Sequence, residues 1–377
     1  MTVGTPVCYI WNELFRHLHS GSGAKISGVR SGFAMNDLFT PYKLKSLEVK
    51  NRIVMPPMCQ YSVEKKDGVA TDWHYVHYVS RAIGGAGLII IEMTDVEPDG
   101  RITDNDLGLW SDEQIAPLAK IVEACHQYGA KVGIQIGHAG RKAQDAKQPV
   151  APSPIPFDDN AKTPKALTKE EIKEVVRKFG ESVRRAVQAG FDTIELHGAH
   201  GYLIHEFQSR YTNKRSDEYG QDLALFGKEV IAAAKKEMPA DMPLIMRISA
   251  REYVDGGYGI EESIAFSKAY KEAGVDLFHI SSGGEGPIGA DGRPGTHAAY
   301  QVPLARRIKE ALNVPVIAVG RLEDPVLANA VIGNEEADLV AVGRGMLRNP
   351  YWALEAGIVL RKDAGIPVQY TRGFPKR

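Results

Sequence analysis

The chain has 377 residues, 44% of them hydrophobic, and a formal charge of −1. That is enough for a large core, and it leaves no global field to draw in nucleic acid or an acidic membrane surface. No apolar run is long enough to span a bilayer, and the sparse, odd set of cysteines (Cys8, Cys59, Cys125) argues for a reducing, cytoplasmic setting rather than a disulfide framework.

Residues 1–34 read as an N-terminal extension. Their longest apolar run, Val7-Cys8-Tyr9-Ile10-Trp11, is too short for a secretory core. They are expected to be a poorly ordered extension or an upstream start, with a transit segment as the weaker alternative. The globular part is expected to run over 35–377 as a single domain with a C-terminal tail.

From there, short apolar runs alternate with helical patterns. The runs are Asn51–Met58, Ala86–Thr94, Ala130–His138, Phe191–His197, Pro243–Ser249, Asp276–Ser282, Val314–Arg321 and Ala337–Arg344. Runs that are apolar throughout fit parallel strands covered on both faces. Between them lie amphipathic segments at Asp72–Ile83, Asp112–Tyr128, Thr168–Ala189, Glu261–Ala273, Val302–Leu312, Asp324–Ile332 and Pro350–Arg361. Thr168 with Glu171 three residues on predicts a capping box, and Gly190 a stop. An α/β fold with eight such repeats points to a (β/α)8 TIM barrel. The rival, a doubly wound open sheet, wants a glycine-rich turn after its first strand, and Pro56-Pro57-Met58-Cys59 is not one.

In a TIM barrel, functional residues collect at the C-terminal strand ends. Cys59 and Tyr61 follow the first strand. Gln135 and His138 belong to the third, His197, His200 and Tyr202 to the fourth, and Arg247 to the fifth. Gly320-Arg321 and Gly343-Arg344 end the seventh and eighth. Two Gly-Arg ends at those two strands point to a phosphate site, since glycine exposes backbone N–H groups and arginine adds a donor fork. Arg247, inside an apolar run, suits either an ion pair with Glu195 or a place beside an electron-rich ring. Gln135 is either a satisfied core amide or a ligand for an imide edge. Cys59 is a small buried hydrophobe or a site residue. Two histidines and a tyrosine within six residues favour an oxyanion-type site. Metal binding is the lesser reading, because the H-E-x-x-H begun by His205-Glu206 fails at Ser209.

The motifs PPMCQYS (56–62), IQIGHAGRK (134–142), HGAHGYLIHEFQS (197–209), MRIS (246–249), VGR (342–344) and QYTRGF (369–374) resemble the Old Yellow Enzymes. The thermophilic-like ene-reductases, of the NADPH dehydrogenase and xenobiotic reductase A type, are the most similar subgroup. The resemblance implies a TIM barrel with one non-covalent FMN, reduced by NADPH or NADH. It also implies reduction of the C=C bond of α,β-unsaturated carbonyl or nitro compounds. Carried onto this chain, it places Pro56, Pro57, Met58, Cys59, Met93, Gln135 and Arg247 along the flavin. It assigns Gly320, Arg321, Gly343 and Arg344 to the phosphate, His197 and His200 to the substrate oxygen, and Tyr61 to the pocket wall. Tyr202 is the implied proton donor. Arg372 matches a tail arginine that enters the neighbouring subunit's site, so a homodimer or homotetramer is implied.

Three departures stand out, one of them a Gly283–His297 loop longer than the resemblance implies. The segment after Tyr219-Gly220 is shortened, and Met93 replaces what is often a small residue. The alternatives to an ene-reductase are a metal-dependent TIM-barrel hydrolase and an FMN-binding barrel with little turnover.

Overall fold

Eight parallel strands close into a barrel. They are β1 (Ile53–Met55), β2 (Leu88–Asp95), β3 (Lys131–Gly137), β4 (Thr193–Gly198), β5 (Leu244–Ser249), β6 (Leu277–Ser281), β7 (Val316–Val319) and β8 (Leu339–Ala341). Each pairs with its neighbours, and β8 returns to β1, so no edge is left open. The computed structural model describes residues 36–289, 292 and 294–374. The extension expected over 1–34 lies outside them.

The eight apolar runs each contain one strand, because a strand buried on both faces needs no polar alternation. The inner layer is Val54, Leu88, Ile90, Ile245, Leu277, Ile317, Leu339 and Ala341, one cluster from six of the strands. Leu47 and Val49 pack onto it. They come from an antiparallel hairpin, Tyr42–Leu44 with Leu47–Val49, that plugs the N-terminal end of the barrel. Burying each such Val, Leu or Ile side chain contributes about 1.5–3 kcal/mol. The barrel is therefore sealed below by hydrocarbon, and its polar residues gather above.

Helices follow the strands: α1 (Asp72–Ile83), α2 (Ile115–Gln127), α3 (Lys169–Gln188), α4 (Leu225–Glu237), α5 (Ile260–Ala273), α6 (Val302–Leu312), α7 (Pro325–Gly333) and α8 (Trp352–Leu360). Thr168 caps α3 as the sequence predicts. Its hydroxyl accepts from the Glu171 N–H at 3.2 Å, and Glu171 accepts from the Thr168 N–H at 2.9 Å. The helix α4 is absent from the sequence-based reading. Gly227 interrupts its pattern, and that glycine is required because a Cβ there would lie 2.6 Å from the Tyr270 ring. The shortened segment thus leads straight into a barrel helix. Among the described residues no helix is long and apolar enough to cross a membrane.

Candidate active site at the C-terminal mouth of the barrel

Strand β2 carries one extra residue against β3: Ile91 pairs with Ile134, but Thr94 pairs with Ile136. A bulge of this kind re-aims side chains. Met93 turns towards the mouth, where a Cβ on Gly137 would touch its Sδ at 3.1 Å and the His197 Cβ at 3.3 Å. Met93 shares an apolar cluster with Cys59 and Tyr202.

Glu92 turns the other way and is buried beneath the turn that carries Cys59 and Tyr61. It accepts the Gln60 N–H at 2.8 Å and the Tyr78 hydroxyl at 2.5 Å. Tyr61 itself sits at φ +52, a left-handed backbone held by that turn. Burial raises the Glu92 carboxyl from its ordinary 4.5 to about 7. An acid whose folded pKa is raised holds its proton longer in the folded state, so stability falls as pH rises between those values. Glu92→Gln should remove that part of the pH dependence, measured as the difference in urea midpoint between pH 5 and pH 8. An unchanged difference would refute the assignment.

The next layer is polar. Gln135 and Glu195 stand side by side in register, and the Gln135 amide donates to the Glu195 carboxylate at 2.7 Å. His279 Nδ1 meets the other Glu195 oxygen at 2.8 Å. Glu195 is therefore already engaged. Arg247, in register with His197 and His279, makes no ion pair among the described residues, and its Nε is buried without a partner. The alternative of an Arg247–Glu195 pair is not realised, although Glu195 still acts on Arg247 through space. Gln135 combines its two readings, with its nitrogen satisfied by Glu195 and its oxygen left over.

Above this layer stand the two histidines and the tyrosine. The His197 ring is edge-on to His200 at 5.2 Å and to Tyr202 at 4.8 Å. Burial, followed by the Arg247 charge, holds both imidazoles well below the usual histidine range, so they are neutral. His197 Nδ1 accepts the Ala199 N–H at 3.3 Å, which assigns the ring proton to Nε2. His200 Nε2 lies 2.7 Å from the Ser281 hydroxyl. Ser281 is 3.3 Å from Gln301 Oε1, which Ser282 already serves at 2.7 Å. The Ser281 proton goes either to Gln301 Oε1 or to His200 Nε2, and in the second arrangement His200 Nδ1 carries the N–H. Burial pushes the Tyr202 phenol up, so it keeps its proton at neutral pH. The site therefore presents the His197 Nε2–H and the Tyr202 O–H as donors, with the neutral His200 ring beside them.

The Gly-Arg ends converge as well. Arg321 and Arg344 line one cleft of about 310 Å³ with Ile288, Gly295, Thr296 and Tyr300. Arg344 is exposed, and its charge faces the Tyr300 phenol. Arg321 is held by the Thr296 carbonyl. Gly320 is at φ +125, and a Cβ there would strike Gln301 at 3.0 Å. Gly343 packs on Met58 and Pro56, where a Cβ would meet them at 3.3 and 3.5 Å, which brings the eighth strand end against the first. Pro57 is buried in the same turn.

Two expected residues fall outside this group. His138 points to Glu97, at 2.8 Å, and accepts the Gly140 N–H. That pairing holds Glu97 near 2, with Lys178 assisting. Arg372 is exposed in the tail turn Val368–Gly373 and touches none of the mouth residues of its own chain. The structure adds Lys142, which the sequence pattern passed over. Its ammonium donates to the His200 carbonyl at 2.9 Å and lies 5.0 Å over the Tyr202 ring. Only its place in IQIGHAGRK could have flagged it. Among the described residues one grouping has metal-like proximity, His205 with Glu252 and Glu285. The Gly201 N–H donates to His205 Nδ1 at 2.9 Å and takes up that lone pair.

Residues 37–361 match the model of the NADH:flavin oxidoreductase / NADH oxidase family. The NADPH dehydrogenase of Listeria innocua serovar 6a is 48% identical over 343 residues, covering 90% of this chain and all of that one. The NADPH dehydrogenase of Bacillus subtilis strain 168 is 46% identical over 340 residues, covering 89% of this chain and 99% of that one. Among solved structures, morphinone reductase superposes with a TM-score of 0.74 at 27% identity, over 88% of this chain and 92% of that one. Family membership removes the metal-dependent hydrolase from the alternatives. The chain belongs to the NADH:flavin oxidoreductase / NADH oxidase family, the Old Yellow Enzymes, and is an FMN-dependent NAD(P)H oxidoreductase.

Proposed function

We propose that the enzyme reduces the C=C bond of α,β-unsaturated carbonyl or nitro compounds. The observation that carries this reading is the neutral set His197, His200 and Tyr202, with the His200 and Tyr202 rings 5.2 and 4.8 Å from that of His197. The residues below them fit the cofactor. An unpartnered buried guanidinium at Arg247 and a free amide oxygen at Gln135 suit the polar edge of an isoalloxazine. The Pro56–Cys59 turn and Met93 wall the ring, and Gly320, Arg321, Gly343 and Arg344 suit its phosphate. When bound, FMN supplies the hydride that NADPH or NADH has delivered.

His197 Nε2–H and His200 Nδ1–H hold the substrate oxygen and draw electron density from the alkene, which makes its β-carbon electrophilic. Tyr202 gives its proton to the α-carbon. Tyr61, 48% exposed, closes the outer side of the pocket. Arg372 completes the site of a neighbouring copy in a homodimer or homotetramer, and the enzyme works in the reducing cytoplasm.

The test is a sequence of spectra. Purified protein should carry the flavin bands, lose them on addition of NADPH without oxygen, and regain them on addition of cyclohexenone. Flavin that stays bleached after cyclohexenone, yet reoxidises with ferricyanide, would rule out alkene reduction. Flavin that NADPH never bleaches would favour the barrel with little turnover.

A further inference from the structure

The HGAHGYLIHEF stretch contains a histidine with no role in the reading above. His205 is fully buried on the short helix Leu203–Gln208, and it reaches back to the turn that delivers His200 and Tyr202. That turn has two consecutive left-handed residues, His200 at φ +62 and Gly201 at φ +73. For a residue with a Cβ this backbone is sparsely populated, and it persists only where its surroundings impose it.

The surroundings act on one peptide unit. Its oxygen, the His200 carbonyl, accepts from Lys142 Nζ at 2.9 Å. Its nitrogen, the Gly201 N–H, donates to His205 Nδ1 at 2.9 Å. Both ends of the plane between the two left-handed residues are thus fixed by side chains. Glycine is needed here because a Cβ on Gly201 would lie 2.3 Å from the Gly284 carbonyl oxygen.

The partners of His205 are equally defined. The Tyr258 hydroxyl gives its proton to the Ser249 carbonyl at 2.8 Å, so it accepts from His205 Nε2 at 2.9 Å. Glu252 Oε1 lies 3.1 Å from the same nitrogen. Glu285 Oε2 lies 3.0 Å from Nδ1, and its other oxygen takes the Thr212 hydroxyl at 2.8 Å. Nδ1 already receives the Gly201 proton, and the buried Arg141 guanidinium, 3.5 Å from Glu285 Oε1, faces the same carboxyl. Burial raises the Glu285 carboxyl; at His205 burial is outweighed by the facing Glu285 and Glu252, which draw the imidazole up, and the Gly201 N–H sets against them the ring form with a free Nδ1 lone pair. Glu285 belongs to the loop after β6, so the contact ties that loop to the turn after β4.

We propose that His205 is a positioning residue: it fixes the His200–Gly201 peptide plane and so sets how His200 and Tyr202 meet the bound oxygen and α-carbon of the substrate. The proposal rests on the assignment of His200 and Tyr202 to substrate.

The test compares His205→Leu, which removes the acceptor but keeps bulk, with His205→Asn, whose Oδ1 can stand where Nδ1 stood. Three readings are made on holoenzyme: FMN content, affinity for 4-hydroxybenzaldehyde by titration of the flavin absorbance, and kcat and KM with cyclohexenone against turnover with ferricyanide. His205→Leu should weaken phenol binding and lower kcat with cyclohexenone roughly tenfold to a hundredfold, the scale of an ångström misplacement. FMN content and ferricyanide turnover should hold, and His205→Asn should restore most of the loss. Should His205→Leu fail to fold, Lys142→Met frees the other end of the same peptide and should reproduce the phenol-binding loss. Unchanged phenol binding in His205→Leu, or in Lys142→Met where that stands in for it, overturns the proposal. So does a parallel fall in all readings without rescue by asparagine, which would mark a merely structural residue. Tyr202→Phe separates the two claims. If it leaves cyclohexenone reduction intact, the proton-donor assignment fails, while phenol binding still judges the clamp.

Discussion

Tyr202→Phe is expected to slow cyclohexenone reduction by roughly 10²–10⁴-fold, the usual contribution of a positioned general acid. Reduction of the flavin by NADPH should change little, because that half of the cycle needs no proton at the α-carbon. The selectivity follows from the position of the phenol. Tyr202 precedes the helix Leu203–Gln208 and stands edge-on to His197, with its ring packed in the cluster of Met93, Cys59 and Ala139. Phenylalanine keeps those contacts and loses only the hydroxyl. Burial keeps the phenol protonated across the neutral range, so the wild-type rate should show no titration of Tyr202 below pH 9. Single-turnover measurements of both half-reactions decide the matter. Equal slowing of both would assign Tyr202 to binding rather than proton transfer.

Arg247→Met should act in two opposite directions. In the holoenzyme it should slow flavin reduction by NADPH about 10²–10³-fold, the scale for removing one preorganised charge partner. In the apoprotein it should be neutral or stabilising by about 1–3 kcal/mol, because the variant removes a buried cation that lacks its hydrogen-bond partner. The reason lies in the neighbours: both Glu195 oxygens are taken, one by Gln135 and one by His279, so Arg247 gains little from the nearest carboxylate. FMN bound beside Arg247 would complete its pairing, so FMN should raise the melting temperature less in the variant than in the wild type. Melting curves with and without FMN test this. A large loss of apoprotein stability would show instead that Arg247 serves Glu195, the structural role left open by the sequence.

Glu195 shows where sequence reading stops. A glutamate inside an apolar strand announces a buried partner, but not which one. The partners, Gln135 and His279, come from strands β3 and β6, 60 and 84 residues away, and only barrel register joins them. His205 is similar. Its place in a failed metal motif is visible, but its bond to the Gly201 N–H depends on the left-handed turn between them. Glu92 carries no local signal and Lys142 only its place in IQIGHAGRK, since each acts on backbone or hydroxyl groups supplied by other elements.

The sequence by itself determined the barrel, because strands buried on both faces must be apolar throughout and helices over them must be amphipathic, and both patterns are local. It also determined the capping box of α3 and the strand ends at which polar chemistry would collect. It did not determine α4, whose glycine is explained only by Tyr270 on another helix. It could not decide whether Arg247 is paired, which nitrogen of His197 bears its proton, or how the Cys59–Tyr61 turn rests on Glu92. These depend on side chains brought within about 3 Å from distant parts of the chain, and barrel closure alone sets that distance.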